Sequence, residues 1–188
     1  MDMYKVKWTR LQTEVFRFLC IKAGQNFNLS EIAKSLSVSS TAVSKALPEL
    51  EKAGLINARK SKTMNLMSIE LNRDSEKTVE LKRVENLRMI YESGLVDFLE
   101  DKFPGATIIL FGSYSRGEDI LAKDEKGQDS DIDIAIIRRK EKNLELKEFD
   151  KKFEKRISVN FYDSFNKIHK HLKDSIFNGI LLSGSVES

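Results

Sequence analysis

The chain has 188 residues, enough for one large domain or two small ones. With 40% hydrophobic and 32% charged residues, but only 2 Pro and 9 Gly, it is neither disordered, collagen-like nor proline-rich. The net charge of +3 is uneven: residues 1–73 hold 12 Lys/Arg against 6 Asp/Glu, and residues 74–188 hold 20 against 23.

A basic first part on an acidic second part points to two domains with different partners, with a polyanion as partner of the first. No apolar run is long enough to span a bilayer. The opening MDMYKVKWTR lacks the apolar core and cleavage site of a secretory signal. The single cysteine, Cys20, forbids an internal disulfide and reads as a small buried apolar side chain. A cytoplasmic protein is expected.

Residues 9–23 carry Leu11, Val15, Phe18 and Leu19 at helical spacing, and Gly24 ends the segment. In NLSEIAKSLSV, Ser30 is expected to cap a helix whose inner face is Ile32, Ala33 and Leu36. Ser39 or Ser40 caps the next helix, with Val43, Ala46, Leu47 and Leu50 inward, a bend at Pro48 and a stop at Gly54. Two short helices joined by a tight turn make a helix-turn-helix. Residues 55–60 and 66–71 read as two strands around the basic tip formed by Arg59, Lys60 and Lys62.

The stretch LSEIAKSLSVSSTAVSKALPELEKAGLI and the hairpin after it resemble the winged helix-turn-helix of bacterial and archaeal transcription regulators. The resemblance implies a DNA-binding domain over 1–73. Ser39, Ser40, Thr41, Ser44 and Lys45 would enter a major groove, and Arg59, Lys60 and Lys62 would reach phosphates. One such domain reads little sequence, so a specific regulator would act as a dimer. A protein-interaction module on the same fold is the alternative.

Residues 74–104 read as a long connecting helix with Gly94 as its break. From 105 the pattern changes to a small α/β domain. Strands are expected at 107–111, 132–137, 156–162 and 180–182, with helices at 144–154 and 164–178. His169 and His171, the only histidines, would lie on the last helix two positions apart and share no face.

The informative segment of this domain is LFGSYSRGEDILAKDEKGQDSDIDIAII. A buried strand runs into Gly112 and Ser113, a turn whose backbone amides and hydroxyl can approach an anion. Gly112 suits it because a side chain would block the approach. Arg116 lies one helical turn on, placed to neutralise phosphate charge. Asp131 and Asp133 are two apart at a strand, so their carboxylates converge while Ile132 and Ile134 turn inward. Two such acids are costly unless a cation joins them. Mg²⁺ is expected, since it takes hard oxygen ligands and bridges to substrate phosphates. A Gly-Ser turn beside such a pair suits nucleotidyl transfer.

Gly112-Ser113 followed by Asp131-Ile132-Asp133 resembles the signature of the nucleotidyltransferase superfamily, the fold of DNA polymerase beta, and is closest to its minimal branch. The resemblance covers roughly 95–184. It implies a nucleotidyltransferase fold with a small mixed sheet, one or two Mg²⁺ ions on Asp131 and Asp133, and a nucleoside triphosphate, ATP among the candidates, held by Gly112, Ser113 and Arg116. The family's third carboxylate falls at Asn160, which can offer a carbonyl oxygen but no base. The spacing from Gly112 to Asp131 is longer than usual, and the excess, Glu118–Gln128, reads as a loop insertion.

Three readings stay open. The first is an enzyme transferring a nucleoside monophosphate to an unknown acceptor. The second is a nucleotide-sensing DNA-binding regulator. The third is an antitoxin-like partner that modifies a small helical HEPN-type toxin.

Overall fold

The computed structural model describes residues 8–60, 67–121 and 130–186. The chain divides into two compact units, Met1–Thr78 and Val79–Ser188. Among the described residues no helix is long and apolar enough to cross a membrane.

The first unit holds α1 (Arg10–Ile21), α2 (Leu29–Ser35), α3 (Ser40–Lys52) and an antiparallel hairpin of β1 (Ile56–Lys60) and β2 (Met67–Leu71). Thr9 and Gln12 form a capping box on α1. The α2 cap is Asn28, whose side chain accepts from the amides of Ser30 and Glu31 while the Glu31 carboxylate accepts from the Asn28 amide. This corrects the expected cap at Ser30: the reciprocal Asn28–Glu31 pair satisfies more of the free helix-end amides and starts α2 two residues earlier. Ser39 caps α3 through the Ala42 amide. Helix α3 runs on through Pro48, and Val43, Ala46, Leu47 and Leu50 are buried as their spacing requires. They close a core with Val15, Phe16, Leu19, Ile32, Leu55 and Ile69. Cys20 is buried beside them.

Helix α4 (Glu76–Glu92) begins in the first unit, and the unit boundary falls within it. Gly94, at φ +79, breaks the helical segment before α5 (Leu95–Lys102). The second unit continues with β3 (Thr107–Phe111), α6 (Gly112–Arg116), β4 (Ile132–Ile137), α7 (Lys147–Phe153), β5 (Ile157–Tyr162), a 3-10 turn (Phe165–Lys167), α8 (Lys170–Phe177) and β6 (Ile180–Ser183). Its sheet order is β5-β4-β3-β6, with β4 and β5 parallel and the other pairs antiparallel: a small mixed sheet.

Strand alternation sorts the sheet into two faces. Ile108, Leu110, Ile132, Ile134, Ile136 and Ile157 pack with Ile90, Leu95 and Leu99 of α4 and α5 and with Phe153 of α7. Ile109, Phe111, Ala135, Ile137 and Tyr162 face Ile168 and Ile176. The expected helix over 164–178 is split. Ile168 adopts an extended backbone (φ −65, ψ 130), which lets its side chain reach the second core, where it is 6% exposed. The split also changes the histidines. His169 precedes α8 rather than lying within it, and its ring stacks on His171 with centroids 5.8 Å apart. The expectation that the two share no face assumed helical spacing that position 169 lacks.

Candidate functional sites

In the second unit the buried strand β3 ends at Gly112, the first residue of α6, whose φ is +78. A Cβ there would run into the Asp133 carboxylate and lie 3.3 Å from its Cγ. Glycine is therefore required both by the backbone conformation and by the acid across from it. The antiparallel register sets Phe111 opposite Asp133, so the turn and the acid meet at one end of the sheet. Ser113 is half-buried at the turn, and the Ser115 hydroxyl donates to the Gly112 carbonyl at 2.9 Å. Arg116 is exposed, and its Nε donates to Glu118 at 2.7 Å.

Ile132 and Ile134 are fully buried, whereas Asp131 and Asp133 are half-buried. Burial, and then the charge of Asp131, raises the Asp133 carboxyl above its ordinary value. Among the described residues, neither carboxylate takes part in a hydrogen bond or an ion pair. Two neighbouring acids with no protein cation fit a divalent ion that takes its remaining ligands from water and phosphate, as Mg²⁺ does. Among the described residues no cluster of three His, Cys, Asp or Glu forms a closed metal cage.

On β5 the parallel register sets Ser158 level with Asp133, and Asn160 level with Ala135. Both lie on the Asp133 face of the sheet, with Asn160 two residues further along. Ser158 had drawn no attention in the sequence, because its place depends on a strand register that the sequence does not state. A second missed set is buried: Lys82, Asn86, Asp119 and Lys155 are 1%, 4%, 2% and 5% exposed. The Asp119 carboxylate accepts from Lys82 and from the Asn86 amide (2.7 Å), and Lys155 lies 3.3 Å away.

In the first unit, Thr41, Ser44 and Lys45 stand exposed on α3, opposite its buried stripe. Ser39 is exposed at the cap and Ser40 half-buried. Arg59 and Lys60 are exposed at the end of β1. Lys62 lies outside the described residues. The spent hydroxyl of Ser39 caps the helix, which leaves Thr41, Ser44 and Lys45 as its free polar face.

Together the fold and site define a two-part protein: a winged helix, then a mixed-sheet domain in which the Asp133 carboxylate lies against a Gly-Ser turn. Residues 92–182 match the family model of the nucleotidyltransferase domain, and residues 12–63 match that of the MarR family. The chain thus carries a nucleotidyltransferase domain behind a MarR-type winged helix domain. No curated protein matches it. Similar solved structures include the adhesin competence repressor AdcR of Streptococcus pyogenes (22% identity, 52% of this chain and 69% of that one, TM-score 0.40). Others are the zinc-responsive MarR family member ZitR of Lactococcus lactis (23%, 55% and 68%, 0.40) and a ZitR mutant in complex with DNA (25%, 55% and 68%, 0.41).

Proposed function

We propose that the second unit transfers a nucleoside monophosphate from a Mg²⁺-bound nucleoside triphosphate to an acceptor, and that the first unit binds DNA. The observation that carries this reading is the close approach of Gly112 to Asp133, which joins the Gly-Ser turn to an acid that, among the described residues, meets no cation. Asp131 and Asp133 would hold the metal. Bound there, Mg²⁺ would neutralise charge on the phosphates and on the departing pyrophosphate. The Gly112–Ser113 turn orients the triphosphate with backbone amides and a hydroxyl. Arg116 exchanges its exposed Glu118 partner for a phosphate oxygen, at little cost for a surface pair. The acceptor hydroxyl oxygen attacks the α-phosphorus and gives up its proton to water, the bond from that phosphorus to the α,β-bridging oxygen breaks, and pyrophosphate leaves. Asn160 offers a carbonyl oxygen from β5.

DNA binding is supported by the MarR family match and by the exposed Thr41, Ser44, Lys45, Arg59 and Lys60. Lys62, outside the described residues, is a further candidate for phosphate contact. A dimer would place two α3 helices on two half-sites.

A second reading is favoured by one observation: Ser158, Asn160 and Tyr162, the residues that β5 turns to the Asp133 face, include no carboxylate. A site without that base would bind nucleotide and regulate DNA affinity rather than transfer.

Calorimetric titration of ATP, GTP, CTP and UTP with Mg²⁺ tests the site. Metal-dependent binding to wild type, weakened at least about tenfold in Asp133→Asn, is expected for a lost metal ligand. Equal binding by both proteins would refute the site. Pyrophosphate release then separates the two readings.

A further inference from the structure

Between Gly117 and Ile132 the chain leaves the Gly-Ser turn and returns to the carboxylate pair, and both ends of that excursion are fastened at one place. On the outgoing side, Asp119 is buried against Lys82 and Asn86 of α4 and Lys155. Lys155 Nζ also donates to the Ile120 carbonyl at 2.7 Å. On the return side, the Ile120 amide donates to the Ser130 hydroxyl at 3.2 Å, which sets residues 120 and 130 side by side. Asp131 follows Ser130 directly. One residue past Lys155, the Arg156 carbonyl accepts from the Ile132 amide at 2.8 Å. Arg156 thus holds Ile132 on one side of Asp131 directly, and Lys155 holds Ile120, which in turn bonds Ser130 on the other side. The same cluster reaches the turn itself, since the Asn86 side-chain amide also donates to the Tyr114 carbonyl in α6 at 2.9 Å.

A lysine is expensive to bury, so a 5% exposed ammonium needs partners of this kind. Helix packing alone does not call for it: Phe153 and Ile157 on either side already bury apolar surface. What the ammonium adds is a directed contact to one backbone carbonyl at the base of the segment that presents Asp131.

We propose that Lys155 is a positioning residue for the site: through Ile120 and Ser130 it holds Asp131 beside Asp133, and thereby sets the affinity for a divalent cation and its nucleotide. This rests on the reading of Asp131 and Asp133 as metal ligands. Lys155 touches neither metal nor substrate. Its role is to hold the ligand-bearing backbone, as hydrogen-bonded groups behind metal ligands do, at about 10–100-fold in affinity when removed.

The test uses the full chain and Mn²⁺ with the α,β-methylene analogue of ATP, followed by calorimetry and by the electron paramagnetic resonance spectrum of bound Mn²⁺. Lys155→Met keeps the stem and removes the charge, while Asp119 retains Lys82 and Asn86. Ser130→Ala removes the hydroxyl that accepts from the Ile120 amide. Circular dichroism melts accompany both. Binding weakened about tenfold or more in Lys155→Met, at a temperature where it is fully folded, with an altered Mn²⁺ spectrum, is the expected result. Binding within twofold of wild type by folded Lys155→Met would overturn the proposal. Should that variant not fold, Ser130→Ala decides by the same two thresholds. The Asp133→Asn protein separates this inference from the one beneath it. If it binds the probe as well as wild type does, the metal site itself is wrong. If only it loses binding, the site stands and the positioning role falls.

Discussion

Two acids in the second unit sit in opposite electrostatic settings. Asp119 is 2% exposed and surrounded by Lys82, Lys155 and Asn86, so its negative charge is fully answered. Asp133 is half-buried, faces Asp131, and meets no cation among the described residues. Burying an acid is tolerable in the first setting and unfavourable in the second. An unfavourable charge kept at the junction of a Gly-Ser turn and a strand is one that the proposed metal ion would answer. The acid with the stronger partners holds the fold, and the acid without them is where chemistry is expected.

The sharpest way to break this comparison is to remove the compensated acid. Asp119→Leu takes the shared carboxylate from two buried lysines, and the loss of one partner of such a cluster costs about 3–5 kcal/mol. Urea unfolding should show the midpoint falling steeply, or the protein failing to accumulate in folded form. A loss within 0.5 kcal/mol, ordinary for a surface substitution, would mean that the cluster is wet and its charges independent.

The same contrast explains what the sequence could carry. Asp133 was legible as lying on the face opposite Ile132 and Ile134, because strand alternation needs no partner to be known, whereas Asp131 falls one residue before β4 begins. Gly112 was legible for a related reason, since a turn after a buried strand limits what can stand there. The Asp119 cluster was not. Lys82 reads as one more cation on a charged helix, and only the tertiary fold brings it to Asp119, 37 positions away. Ser158 stayed hidden because β4 and β5 are parallel and joined through α7, so their register is set by packing rather than by a hairpin turn. At smaller scale, Ser30 and Asn28 both suit a cap. The reciprocal bond with Glu31 decides between them, and that decision needs the side-chain geometry.

The exposed cations of the first unit give the comparison a third, fully solvated case. Lys45, Arg59 and Lys60 are surface charges, so their loss should leave stability within about 0.5 kcal/mol. Their effect belongs to binding. In the triple alanine variant, DNA affinity should fall at every sequence tested. The slope of log K against log salt should become shallower by about 0.9 for each phosphate contact removed. Fluorescence anisotropy across a salt series reads both quantities. An unchanged slope would move the DNA surface away from α3 and the wing, and would favour a protein-interaction role for this domain.

The smallest expected effect is also the most discriminating, because its sign is opposite to that of an ordinary site mutation. Burial and Asp131 raise the Asp133 carboxyl above its ordinary value, so in metal-free protein the folded state holds that proton more tightly than the unfolded chain does. At neutral pH the carboxylate must be ionised in a place that disfavours it, which destabilises the fold. That penalty fades as pH falls through the raised folded value, and is gone below the unfolded value of about 3.9. Asp133→Asn removes the charge while keeping the shape. The variant should melt above wild type at pH 7 without metal. The gap should close toward pH 4. Adding Mg²⁺ and nucleotide should reverse the order, since only wild type gains stability from binding. A variant less stable than wild type at pH 7 without metal would place Asp133 with Asp119, as a structural acid, and would remove the physical basis for reading the end of β4 as a cation site.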